Sequence, residues 1–133
     1  MAVLSDPISD FLTRVKNAGN ARNEELLAPH SGIKAEIARI LQEEGYIWSY
    51  EIVGEGVKKA IKVKTRFTQE GKPLITGVKR CSKPGRRQYV RSEEIPNVMN
   101  GLGISIVSTS AGLMTGAQAR RRKIGGELIA LVW

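Results

Sequence analysis

Apolar side chains recur at Ile8, Phe11, Leu12 and Val15, the i, i+3, i+4, i+7 spacing that predicts an amphipathic helix, with Asp6 as N-cap and Pro7 at the first helical position. At about 100° per residue, Thr13, Arg14 and Asn17 fall opposite that stripe and face solvent or a ligand. A second helix is predicted from Ser31, turning Ile33, Ile37, Ile40 and Leu41 inward and ending at Gly45, which can take the left-handed conformation after the last turn. His30 falls just ahead of it, on a surface loop.

From Tyr46 the period changes to two. Trp48, Tyr50 and Ile52 alternate with Ser49 and Glu51; after the turn residues Gly54-Glu55-Gly56, Ile61, Val63, Thr65 and Phe67 alternate with Lys62, Lys64 and Arg66. The pattern predicts a hairpin with one core face, and places Trp48 and Tyr50 in that core rather than on the surface as platforms for bases. The Lys62, Lys64, Arg66 ladder on the other face is either a solvated surface or part of a phosphate-contacting one.

Beyond the turn-like stretch Gln69 to Pro73, strand character returns over Leu74 to Cys81. Pro84-Gly85 supplies an i+1/i+2 pair for a type II turn, joining two short strands into a hairpin. Ser92-Glu93-Glu94 has the composition of a helix start, kept short by Pro96 and Gly101. Ile104, Ile106 and Val107 form a strand running into a loop, Ser108-Thr109-Ser110-Ala111-Gly112. Thr115 and Gln118 have capping-box spacing for a short helix carrying Arg120-Arg121-Arg122-Lys123, which ends near Gly125-Gly126 before a last strand, Glu127 to Val132.

Charge changes this picture. The net of +8 divides unevenly: residues 1–56 hold five basic and nine acidic side chains, a net of −4, and the remainder carries +12. Six basic residues and no acid lie between Lys79 and Arg91, where Lys83, Arg86 and Arg87 flank the Pro84-Gly85 turn and Tyr89 adds an aromatic face. A one-signed field of this extent attracts polyanions, of which nucleic acid is the commonest inside cells. The three adjacent hydroxyls Ser108 to Ser110 suit sugar hydroxyls, phosphates and base edges, although such runs also simply cap turns. A single cysteine, Cys81, and a single histidine, His30, leave no disulfide, no multi-thiolate zinc site and no catalytic constellation. The expectation is a non-enzyme without cofactor or metal, soluble and cytosolic, since Met1 to Asp10 has no targeting pattern and no apolar run approaches the roughly 20 residues of a membrane span.

Three blocks carry a resemblance. Gly103 through Met114 with Ala119-Arg120 and Gly125-Gly126-Glu127, Asp6-Pro7-Ile8 through Thr13 to Ala18, and Ser82 through Tyr89 stand in the order and at the spacing of the bacterial small-subunit ribosomal protein S8 family. The resemblance implies an α+β fold of two small lobes. Residues 1–68 would form an N-terminal α/β lobe of two helices on a short sheet, and residues 69–133 a mainly β, RNA-binding lobe with a short helix.

It also implies a structural constituent of the small ribosomal subunit that binds the central domain of 16S rRNA early in assembly. Its neighbours would be other small-subunit proteins, and some members also bind their own messenger; neither a membrane nor a stable homo-oligomer is expected. By position, Ser108, Thr109, Ser110 and Gly112 would approach distorted bases, with Tyr89 and Glu127 beside them and Lys83 on the backbone. Arg86, Arg87, Arg120, Arg121 and Lys123 add phosphate contacts, and Arg14 and Asn17 are candidates on the first helix. Many members carry a basic residue where this chain has Ala111, which leaves that phosphate contact absent or supplied by Lys83, Arg120 or Lys123. The rival reading is a general RNA- or DNA-binding regulatory module using the same basic surface. Two helices separated by a strand-like loop do not make a helix-turn-helix.

Overall fold

The structure, a computed structural model, describes residues 6–133. The first five residues of the segment searched for a targeting pattern lie outside it. The chain forms two compact units, one of residues Ile8–Thr76 and the other of Gly77–Trp133 with Asp6 and Pro7, in an α+β fold. No helix among the described residues is long and apolar enough to cross a membrane.

In the first unit, α1 (Pro7–Asn20) buries Ile8, Phe11, Leu12 and Val15 and continues the stripe with Ala18 and Gly19. Strand β1 (Glu25–Pro29), which no alternation announces, pairs antiparallel with β3 (Ala60–Thr65), and β3 pairs antiparallel with β2 (Ile47–Val53), giving the order β1-β3-β2. Helix α2 (Gly32–Glu43) packs on β2. Ser31 caps α2 by accepting from the Lys34 N–H at 3.3 Å, and Gly45 ends it at φ +82°. Tyr46 N donates to Leu41 O and Gly45 N to Gln42 O, the two closing bonds of a Schellman motif.

Two inward assignments are corrected. Ile33 is exposed, and Lys34 is buried with Ile37, Ala38, Ile40 and Leu41. The Lys34 stem fills the apolar stripe because its ammonium donates to Pro29 O at 3.2 Å. In β2 the core position belongs to Ile47, 2% exposed, while Trp48 is 57% exposed. The cause is a bulge: Ile47 pairs with Thr65, Ser49 with Lys64 and Tyr50 with Val63, so Trp48 and Ser49 together oppose one residue. One extra residue shifts the alternation by one, turning the indole onto the outer face.

The second unit is built around β8 (Gly126–Val132). One edge of β8 pairs with β6 (Ile104–Thr109), which pairs in turn with β7 (Gly112–Thr115), all antiparallel. Its other edge takes β4 (Val78–Arg80) at Val132 to Ala130 and β5 (Tyr89–Val90) at Glu127 and Gly126. The expected hairpin over this region is therefore corrected: its strands share β8 as partner, and between themselves only Lys83 and Arg86 bridge. The Pro84-Gly85 turn is present, with Gly85 at φ +84°. The strand expected over Leu74 to Cys81 is confined to Val78–Arg80, where β8 supplies a ladder partner. Ser92–Glu94 makes one 3₁₀ turn. Helix α3 (Gly116–Arg122) begins with the capping box: Gln118 N donates to Thr115 Oγ1 at 3.2 Å and Thr115 N to Gln118 Oε1 at 3.1 Å. Ile95, Val107, Met114, Ala119 and Leu128 form one core cluster of this unit.

Candidate nucleic-acid interface

Register brings the separated sequence blocks together. Tyr89 pairs with Glu127, and Glu127 pairs with Ser108, so three side chains from β5, β8 and β6 form one row across the sheet. Opposite residues in antiparallel ladders project to the same face, which makes the row a single surface. Tyr89 presents a phenol 70% exposed at one end.

The middle of the row is held rigidly. Ser82, fully buried, donates its hydroxyl to Glu127 Oε2, and Arg87 donates to the same oxygen at 3.2 Å. Ser82 Oγ in turn accepts from Gln88 N at 3.1 Å. Glu127 thus has one oxygen engaged and its other, Oε1, available as an acceptor for an amino or hydroxyl donor. Ser82 was not singled out from sequence, because a buried serine reads like any other.

The five residues 108 to 112 are corrected from loop to hairpin. Ser108 and Thr109 belong to β6, Gly112 begins β7 opposite Thr109, and Ser110-Ala111 alone make the turn. Thr109 is used by that turn: Oγ1 donates to Gly112 O at 2.8 Å and accepts from Ala111 N at 3.1 Å. Ser108 and the exposed Ser110 keep their hydroxyls for a ligand. No charged residue occurs from Ile95 to Ala119, so the tip of the hairpin offers hydrogen bonds and shape but no charge.

The exposed cations of this unit lie on other elements. Lys83, Arg86 and Arg87 are exposed at the Pro84-Gly85 turn and, with Lys79, rim a groove floored by Pro96, Leu128 and Leu131. Arg80 lines the same groove but its charge is committed inside the unit: its side chain is 6% exposed, 3.2 Å from Asp6, and donates to Ile129 O at 2.7 Å. On α3, Arg120 donates to Ile95 O at 3.2 Å and fixes the segment beneath the helix. Arg121, Arg122 and Lys123 are exposed.

Arg14 and Asn17 lie on α1 of the first unit, exposed, with Arg14 bonded to Asp10 at 2.9 Å. In the Lys62–Arg66 ladder, Lys62 is flanked by Glu25 at 3.3 Å and Glu51 at 3.9 Å, which supports a solvated, self-neutralised face at that position. Among the described residues no three His, Cys, Asp or Glu side chains gather as a metal site. Burial pushes the Cys81 thiol pKa up, against the pull of Lys79, Arg80 and Lys83, so it stays protonated and weakly nucleophilic.

The family model described as ribosomal protein S8 matches residues 6–133. The small ribosomal subunit protein uS8 of Streptococcus sanguinis is 50% identical over 131 residues, 98% of this chain and 99% of the relative. The protein of the same name from Clostridioides difficile is 48% identical over 130 residues, 98% of each chain. That of Lactobacillus delbrueckii subsp. bulgaricus is 48% identical over 131 residues, 98% of this chain and 99% of the relative.

Proposed function

Because this chain belongs to the ribosomal protein S8 family, we infer that it is a structural constituent of the small ribosomal subunit and a binder of ribosomal RNA. The observation that carries the mechanism is the row Tyr89–Glu127–Ser108 leading to an uncharged hairpin tip, with exposed cations on the Pro84-Gly85 turn and on α3 of the same unit.

RNA is read where its bases are unstacked, by stacking and by hydrogen bonds to their edges, while cations on phosphate set position. Ser108, Ser110 and the free oxygen of Glu127 supply donors and acceptors, and Tyr89 supplies a stacking face. Thr109 and Gly112 hold the hairpin that presents the serines. Lys83, Arg86, Arg121, Arg122 and Lys123 take phosphates, and Arg87 divides its charge between Glu127 and the backbone of the RNA. Arg120 acts indirectly, by anchoring α3.

The target is the central domain of 16S rRNA, in the cytoplasm, with neighbouring small-subunit proteins and the chain's own messenger as further partners. The test is binding to a central-domain fragment and to a scrambled RNA of equal length over a salt series. Affinity should fall with salt on both, with a log–log slope of about −0.7 to −0.9 per neutralised phosphate. The fragment should win by about a thousandfold near physiological salt. Equal affinity would reduce the protein to a cationic binder.

A further inference from the structure

The first unit carries an aromatic group that neither its core nor the hairpin site uses. Trp48 is 57% exposed, put on the outer face of β2 by the bulge. Arg66 lies over the ring with Cζ 4.5 Å from its centroid, and its guanidinium is fixed by donating to Gly45 O at 3.2 Å. Lys64, in register with Ser49 on one side and Glu25 on the other, is exposed and makes no ion pair among the described residues, because Glu25 turns to Lys62, which also has Glu51.

We propose that Trp48 and Arg66, with Lys64, form a second RNA contact, a platform on which one unpaired nucleobase stacks while Lys64 takes the adjoining phosphate. The proposal draws its ligand class from the RNA-binding reading above but is independent of the row at Ser108. An indole with a cation on one face leaves the other face open, and flat π surfaces of this kind stack bases of any sequence. The accompanying positive charges fit a phosphodiester chain better than an apolar protein surface, which would have no counterpart for Lys64 and Arg66. A bulge that turns a large aromatic out of an available core is otherwise unfavourable, since it forgoes the burial of the ring.

The experiment uses the full chain and its Trp48→Phe, Trp48→Ala and Lys64→Ala variants, titrated with octaadenylate and with an abasic strand of equal length. Octaadenylate should quench tryptophan fluorescence in the parent, and this quenching should vanish in Trp48→Phe. Trp48→Ala should lose about tenfold in affinity for octaadenylate, Trp48→Phe should keep most of it, and Lys64→Ala should lower affinity for both strands. Equal quenching by the abasic strand, or unchanged affinity in Trp48→Ala, overturns the platform. A Ser108→Ala/Ser110→Ala variant separates the two readings. It should give up about tenfold of the preference for the central-domain fragment yet keep the octaadenylate quenching, so either can fail alone.

Discussion

A β-carbon added to Gly126 would stand 2.1 Å from the carbonyl oxygen of Ser108, nearer than any non-bonded pair can approach. The two belong to adjacent strands, and the partner is backbone, so no side-chain rotation relieves the clash. Hydrogen and hydrogen alone fits at this point of β8. The closeness of β6 and β8 here is what sets Ser108 beside Glu127.

Gly126→Ala is therefore expected to destabilise the second unit by about 1–3 kcal/mol, the usual range for forced overpacking. It should also lower affinity for the cognate RNA beyond what instability explains, because the row itself is displaced. Chemical denaturation gives the first quantity, and binding measured well below the unfolding transition gives the second.

Discrimination and attraction should separate by mutation. Replacing Ser108 and Ser110 by alanine should cost about tenfold in affinity for the central-domain fragment, in line with one or two lost hydrogen bonds, and leave scrambled RNA and the salt slope almost unaffected. Arg121→Ala should weaken both RNAs alike and reduce the slope by about 0.7–0.9. Equal losses on both RNAs for the serine variant would show that the hairpin hydroxyls do not read the target.

Thr109 should behave unlike its two serine neighbours. Its hydroxyl closes the hairpin turn, so Thr109→Ala is expected to cost about 1 kcal/mol of stability. Thr109→Ser should restore it. Thermal unfolding of the three proteins measures this, and a stability loss confined to the serine variant would reverse the assignment.

Cys81 gives a pH-dependent readout of the same unit. With its pKa raised by burial, the thiolate is scarcer in the folded than in the unfolded chain near neutral pH. Thiol labelling should be slow in the native protein and accelerate on unfolding. The sign follows from linkage. The folded state holds this proton more tightly, so the contribution to stability is complete below the unfolded pKa and disappears as pH rises through the folded one. Denaturation across the alkaline range, compared with Cys81→Ser, isolates it.

What the sequence discloses and what it hides divide along physical lines. Helix α1 is legible because Ile8, Phe11, Leu12 and Val15 repeat at helical spacing within one segment, and the start of α3 because Thr115 and Gln118 satisfy each other locally. Trp48 misleads because alternation presumes an unbroken ladder, and nothing in Tyr46 to Ile52 marks the bulge. The candidate site was legible as a list of residues, Ser108, Tyr89, Glu127 and their cations. Its geometry was not. That Tyr89 pairs with Glu127, and that Arg80 turns inward to Asp6 while Arg86 stays exposed, are decided by partners far along the chain. Strand β1 shows the same dependence, since Glu25 to Pro29 becomes a strand by meeting β3.

The sharing of β8 by β4 and β5 has a kinetic meaning. Neither strand can settle by zipping to its neighbour across the Pro84-Gly85 turn; each waits for a partner tens of residues downstream, Tyr89 for Glu127 and Arg80 for Ala130. Such long closures are slow steps in folding. Until β8 docks, Tyr89, Glu127 and Ser108 are strangers in space, and Ser82 has no carboxylate to hold. If the row reads RNA as proposed, a nascent or half-folded chain attracts RNA through its cations but does not discriminate among RNAs. Selectivity arrives in one step, with the closing of the sheet.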